Sequence, residues 1–419
     1  MSTSLVSVST RVESPFIIVK IGDYTFGNCS KQSDRQKLKT VMHVTYPNYM
    51  TSLNVTKING SVNTYTIVMN YSITQTDDPN MIDRILSTVS SSREITLSYG
   101  DWNAPSFIYK EEKAIITKVS QKVDFNASKI QYTIKCTSTA LSLQSVKRNF
   151  NAGKKKPSDE IIRLLRDEST GLLQIFTGMK NHTANSFANL IAQDDKEVQL
   201  EAKESINILD YIAYLVSCMT CQSDSGGDIK QSLYYWAVYD DINDEYGGQY
   251  FRVHKVTAGS QYNISYNTFE VDIGYPTGNQ VTAFNVNSDE SWAIIYNYSQ
   301  KVQQQPQYTY AIGDDGTVRT TSSPSLTASS LFGRDVEANK NWWSQMTQFP
   351  LTASLTIKGL LRPALLMSYV KVNTYFYGHK HVTSGLYIIT KQEDSIDSSG
   401  YKTTLSLTRI SGDEGYDKS

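Results

Sequence analysis

Cysteine is scarce in this 419-residue sequence: Cys29, Cys136, Cys218 and Cys221 are all there is. So few thiols exclude a disulfide-stapled scaffold. Charge of one sign is lacking too. Forty basic residues stand against 41 acidic ones, for a net charge of −1. A nucleic-acid binder gathers Lys and Arg against phosphate, so this balance argues against nucleic acid as a general partner. No apolar run approaches the ~20 residues of a membrane-spanning helix. The opening stretch MSTSLVSVSTRVESPF has no charged start followed by an apolar run, so no secretion signal is expected. Synthesis in the cytoplasm, without stable membrane insertion, is the expectation. The Asn-x-Ser/Thr triplets at Asn54, Asn70, Asn126 and Asn263 then reflect composition rather than glycosylation.

Catalytic signatures are missing as well. There is no Gly-x-Ser-x-Gly elbow, no His-Glu-x-x-His and no Walker loop. Cys218 and Cys221 have the spacing of a zinc half-site or a redox pair. No second pair follows, and the motif trails a helix, so they read as buried or bystander thiols. His379 and His381 put two imidazoles on one face of a strand or its turn, with no carboxylate or Cys at partner spacing. They read as a polar hairpin rim, and His43, His182 and His254 are isolated. Asp240-Asp241 and Asp289-Glu290 read as turn residues, although a glycosidase needs only two carboxylates at the right separation. Trp342-Trp343 is the densest aromatic point and reads as packing or an intersubunit anchor. No catalytic, cofactor-binding or metal residue is assigned, and no enzyme is expected.

What is present is strand-forming. Tyr numbers 28 and Pro only ten, a balance suited to half-buried pleated surfaces. Ile130, Tyr132, Ile134 and Cys136 alternate with Gln131, Thr133, Lys135 and Thr137, the period-two signature of a strand covered on one face. Between about 150 and 225 the period changes. Ile161, Leu164 and Leu165 form one helical stripe, with Ser158 as the expected N-cap. Ile208, Tyr211, Ile212 and Leu215 form another, with a start at Ser205. Lys154-Lys155-Lys156 reads as a solvated linker. Strands resume with SLYYWAVYDD, QYFRVHKV, two runs around the Pro-Thr-Gly-Asn turn, and WAIIYNYS. Residues 301–330 are polar, as in a long loop or inserted ribbon, and GRDVEANKNWWSQMTQ reads as a short helix. The expected fold is mainly β with a helical segment (α+β): two β-barrel or sandwich domains joined by helices and a β-rich insertion. The expected division is 1–147, first barrel; 148–228, helical connector; 229–300, strands of the second barrel; 301–346, polar insertion and short helix; 347–419, the rest of the second barrel.

The chain repeats itself. AIITKVSQKVDFNASKIQYTIKCTS begins at Ala114, and YIITKQEDSIDSSGYKTTLSLTRIS begins at Tyr387. Ile115 matches Ile388 and Val123-Asp124 matches Ile396-Asp397, all 273 positions on. After a turn shorter by two residues, Tyr132, Ile134 and Cys136 match Thr403, Leu405 and Leu407. Upstream, Tyr99-Gly100 is matched with Tyr377-Gly378. Two like domains in one chain let three chains present six like units, which can face a sixfold ring on one side and a threefold object on the other.

On these residues the chain resembles the baseplate hub proteins of long-tailed bacteriophages and the related part of type VI secretion spike proteins. The hairpin SGLYIITKQEDSIDSSGYKTTLSLTRI, the helix in VQLEAKESINILDYIAYLV and the run FEVDIGYPTGNQVTAFNV follow that family's order. The resemblance implies tail-tube-like barrels and a homotrimer in the virion's tail baseplate. It implies neighbours in the tail tube or distal tail proteins and in a central spike or tail-tip protein. DNA would pass only through the lumen, and no cofactor is implied. A receptor-binding or adhesin subunit and a tail-associated cell-wall hydrolase are the alternatives.

Overall fold

The computed structural model describes residues 15–29, 35–40, 43–44, 46–47, 49–72, 87, 94–102, 109–179, 190–219, 232–239, 249–257, 267–273, 281–288, 309–312, 318–321, 351–358 and 366–412. The protein is mainly β. The first strands are β1 (Pro15–Ile21), β2 (Tyr24–Cys29), β3 (Tyr46–Pro47), β4 (Met50–Ile58), β5 (Thr64–Ser72), β6 (Glu94–Asp101), β7 (Tyr109–Asp124) and β8 (Lys129–Ser138), with a short helix α1 (Arg35–Thr40) between β2 and β3. A mixed segment follows, with β9 (Lys147–Phe150), β10 (Gly153–Lys155), α2 (Pro157–Arg166), α3 (Leu172–Ile175), β11 (Val198–Leu200), β12 (Lys203–Asn207) and α4 (Ile208–Cys218). Then come β13 (Ser232–Tyr239), β14 (Tyr250–Thr257), β15 (Asn267–Ile273), β16 (Val281–Ser288), β17 (Thr309–Ile312), β18 (Val318–Thr321), β19 (Leu351–Lys358), β20 (Tyr369–Phe376), β21 (His379–Lys380), β22 (Gly385–Asp397) and β23 (Gly400–Gly412).

One large, mostly antiparallel sheet runs β16-β19-β23-β22-β4-β5-β8-β7-β6-β1-β2-β3, with β20 beside β22 and β15 beside β20. Within it a four-strand unit occurs twice, and the ladder registers state the repeat better than the sequence does. β7 pairs with β8 and β22 with β23, and both hairpins slip register at a threonine, Thr117 and Thr390, which are 273 positions apart. The two hydroxyls do the same work: Thr117 Oγ1 donates to Lys135 O at 3.0 Å, and Thr390 Oγ1 to Ser406 O at 3.2 Å. The outer strands agree. β4 slips against β5 between Met50 and Ser52, and β16 slips against β19 between Val281 and Ala283, 231 positions on. A bulge pins register because shifting it would turn every side chain to the wrong face. Two bulges recurring at matched places in four strands identify β16-β19-β23-β22 as the counterpart of β4-β5-β8-β7.

The ladder also corrects one match. Glu94 lies opposite Ile115 and Tyr369 opposite Ile388, so β6 corresponds to β20 with an offset of 275. Tyr99 is therefore the counterpart of Thr374. Tyr377 stands in the turn after β20, at φ 48° and 73% exposed, whereas Tyr99 is fully buried. The two Tyr-Gly pairs resemble each other in type only. The runs around Pro-Thr-Gly-Asn do form strands, β15 and β16, but they do not pair with each other: β15 runs parallel to β20, and β16 pairs with β19.

The mixed segment packs through the stripes that its periodicity announces. Ile161, Leu164, Leu165, Ile208, Ile212 and Leu215 are all buried. Its caps are differently made. Helix α2 starts at Pro157, a favoured first position, and Ser158 N–H donates 2.9 Å to the carboxylate of buried Asp195. Ser205 lies in β12, and the cap of α4 is Asn207, whose side chain accepts from Asp210 N–H at 2.8 Å. The lysine run is no linker. Lys154 and Lys155 belong to β10, paired with β11, and Lys154, Lys155 and Lys156 lie 3.9, 3.7 and 4.0 Å from Glu197, Glu160 and Asp195. In the polar stretch, β17 and β18 form an antiparallel ribbon. The expected strand at 292–299 and the expected helix around Trp342-Trp343 lie outside the described residues.

Candidate functional site

The residues that could have carried chemistry are not assembled for it. Cys218 is buried, and Cys221 lies outside the described residues. His379 is exposed beside the tight turn after β20. His381 packs tilted against Phe376, with ring centroids 4.5 Å apart, and its Nδ1 meets Thr383 Oγ1 at 2.8 Å. Asp240-Asp241 and Asp289-Glu290 lie outside the described residues. Among the described residues no three His, Cys, Asp or Glu side chains cluster as a metal site would need. No helix among them is long and apolar enough to cross a membrane.

The distinctive geometry lies along the two equivalent hairpins. The first half of β22, Gly385–Ile388, pairs with β20, and its second half, Lys391–Ile396, pairs with β4 (Leu53–Ile58). In that second half Gln392, Asp394 and Ile396 face inward. At the hairpin's end Ile396 and Tyr401 enter the core of the first unit, among Leu53, Ile67 and Tyr65. The chain thus completes the core of its first unit with the tip of its second.

The hairpin β7–β8 has the same form and no such cover. Its first half, Tyr109–Ile115, pairs with β6. Beyond the bulge, β7 pairs only with β8 among the described residues. Val119 and Val123, the counterparts of Gln392 and Ile396, are 37% and 38% exposed, and Phe125 at the turn is 86% exposed. The outer edge of β16 is likewise unpaired among the described residues, since β16 ends the sheet. Its inward residues Phe284 and Val286 lie opposite Leu355 and Ala353 and are half-buried. Among the described residues, then, the edges of β7 and β16 are open while their counterparts β22 and β4 are joined to each other.

The covered junction is polar inside. Lys57 on β4 lies opposite Gln392 and reaches Glu112 on β7, Nζ to Oε1 2.5 Å, with all three buried. Asp394, 1% exposed, accepts from Thr403 Oγ1 at 2.7 Å and from Gln392 Nε2 at 2.9 Å. Burial pushes the Asp394 carboxyl above its usual range, against the pull of Thr403 and the Lys57 charge. Sequence reasoning missed this cluster because its members are spread from Lys57 to Thr403.

On the opposite, solvent-facing side the same strands carry hydroxyls and amides. Thr356 and Thr404 hydroxyls meet at 3.2 Å, and Gln131 Nε2 donates to Asn70 Oδ1 at 3.1 Å. In β23, Lys402, Thr404, Ser406 and Thr408 face this side, while Tyr401, Leu405 and Leu407 face the core. The face is not free of paired lysines: exposed Lys118 and Lys135 lie directly opposite each other.

The molecule is thus a mainly β protein built on a duplicated four-strand unit. No family model matches the chain, and no curated protein matches it. Among solved structures it is similar to the tail protein from Neisseria meningitidis MC58, at 9% identity and a TM-score of 0.47, over 94% of this chain and 96% of that one. It is similar to the 43 kDa tail protein of prophage MuSo2 from Shewanella oneidensis, at 10% identity and 0.48, over 94% and 96%. A type VI secretion component of Escherichia coli matches at 9% identity and 0.44, over 86% of this chain and 73% of that chain. Likeness at this level carries no functional conclusion.

Proposed function

We propose that this chain is a structural protein of a phage tail, and that three copies form a ring at the baseplate hub. In this reading residues 1–147 form one tube-like barrel, and 229–300 with 347–419 form the other. Residues 148–228 connect them, and 301–346 are an insertion. The three chains would present six like units to the tail tube and a threefold seat to a central spike or tail-tip protein. The reading needs no cofactor and no catalysis.

The observation that carries it is the pair of open edges. Within a chain, β22 meets β4 in the register Gln392 to Lys57, Asp394 to Val55 and Ile396 to Leu53. Carrying that register to the counterparts sets Val123 of one copy opposite Phe284 of the next, and Gln121 opposite Val286. Inward faces then meet inward faces, with Val123 covered by Phe284 and Val119 set opposite Ser288. Edge-to-edge addition of a strand supplies backbone hydrogen bonds, and alternate side chains supply selectivity. Such contacts are heterologous, so repetition closes into a ring when the rotation permits. The resemblance of the hairpins and their order to hub proteins supports three as the number of chains.

Mass measurement of the purified chain in solution should give a trimer, or a trimer on addition of the tube protein, with more than ~1,000 Å² buried at each junction. Val119→Lys with Val123→Lys should leave the monomer folded, since both sites are part-exposed, and should abolish the trimer. A wild-type chain that stays monomeric beside its tail neighbours, or an edge variant that still forms the ring, overturns the reading.

A further inference from the structure

A ring of this kind contains two sorts of junction, three within chains and three between them, and duplication makes them geometrically alike. The edge of β22 could accept β16 of another copy as readily as its own β4, because the bulges put both strands in the same register. Resting on the ring reading, we propose that Lys57, Glu112, Gln392, Asp394 and Thr403 form a polar key by which β22 selects its own chain's β4 and rejects the β16 edge of a second copy.

The chemistry of the four edges supports the choice. At matched inward positions β22 carries Gln392, Asp394 and Ile396, whereas β7 carries Val119, Gln121 and Val123. β4 answers β22 with Lys57, a cation already held by Glu112 and placed opposite Gln392. At the position matching Lys57, β16 has Ser288, which brings no charge, and its next inward residues are Val286 and Phe284. Val55 and Leu53 of β4 are as apolar as Val286 and Phe284, so what pairing β22 with β16 would change is the loss of Lys57 from beside a buried carboxylate. A buried polar group left without its partner is costly, which makes such groups effective against wrong partners. The reverse error, β4 against β7 of a second copy, would lay Lys57 against Val119. The two acceptor edges thus differ in kind at one inward position, Lys57 in β4 against Ser288 in β16, and the key turns on that lysine.

Paired cysteines read this directly. Asn285 of β16 is the counterpart of Asn54, which lies opposite Ser395, and Lys122 is the counterpart of Ser395. All changes are made in full-length chain carrying Cys221→Ser. Lys122→Cys with Asn285→Cys should give covalent multimers on a non-reducing gel, because it bridges the ring junction. Ser395→Cys with Asn285→Cys should stay uncrosslinked while the key is intact. Adding Lys57→Met, Gln392→Val and Asp394→Leu should turn that same pair into a multimer former. Should that chain fail to fold, Lys57→Met alone serves, with Lys57→Arg expected to restore the uncrosslinked state. If the first pair never links and the protein is monomeric, the ring reading fails. If the first pair links but the second stays uncrosslinked with the key removed, the ring stands and the key is refuted.

Discussion

At the scale of single residues, Leu215 and His254 give measurable expectations. Leu215 is fully buried in the helical core with Ile161 and Ile212. Leu215→Asp should cost about 4 kcal/mol, the general penalty of an unpaired charge placed inside, and a thermal melt should show it. His254 is half-buried, its ring beside Tyr239. The Tyr239 hydroxyl donates to Leu366 O at 2.7 Å, so the His254 Nε2 at 2.7 Å is the N–H that donates to the tyrosine oxygen. Burial lowers the His254 pKa to about 3 from an ordinary 6.5. A neutral histidine in the fold that protonates when unfolded contributes stability above pH 6.5, and that stability is lost as pH falls toward 3. The loss should reach about 2 kcal/mol by about pH 5. His254→Gln should flatten that limb of a stability-against-pH curve, and an unchanged limb would show that another group titrates there. The sequence marked Leu215 by its period of 3.6 but left His254 as an isolated histidine. Its partner Tyr239 lies 15 residues away on the neighbouring strand of the β13–β14 pair and is itself held by Leu366, and no local pattern joins the three.

At the scale of elements, the repeated hairpin was legible because its period of two and its Ile-Ile-Thr-Lys tetrapeptide survive in one dimension. What could not be read was register. The Tyr-Gly pairs misled because residue type repeats without position, and only the ladder separates Tyr99 from Tyr377. Caps failed for a related reason. Ser158 looked like a cap by its place, yet the acceptor is Asp195, 37 residues later. Lys154 and Lys156 looked unpaired because Glu197 and Asp195 are distant in sequence. Asp195 should matter more than Ser158 does. Asp195→Ala should destabilise by about 1 kcal/mol, as loss of a helix cap does, and Ser158→Ala by less. Equal effects in a denaturant titration would return the cap to the serine.

At the scale of the whole molecule, the open edges and the joined edges are one design seen twice. The candidate interface was only half visible in the sequence. Duplication announced that like units exist, but nothing local told that β22 would cross to β4 while β7 stayed uncovered. That choice is written in Gln392 and Asp394 against Val119 and Gln121, and it becomes readable once the registers align those positions.

The crossing of β22 to β4 also sets an order in time. Ile396 and Tyr401 finish a core whose other walls, Leu53, Ile67 and Tyr132, left the ribosome hundreds of residues earlier. At general synthesis rates the wait between Leu53 and Ile396 is roughly 17 to 70 s. Throughout that interval the first unit has an unclosed apolar flank, and the β4 edge is open to any strand nearby. Nascent chains on crowded polysomes would meet one another in that state. A chain stopped after Lys380 should therefore bind a hydrophobic dye and precipitate, and adding a peptide of residues 385–412 should suppress both. The last strand pair acts as a late-arriving plug, and until it is translated the protein depends on whatever shields the flank.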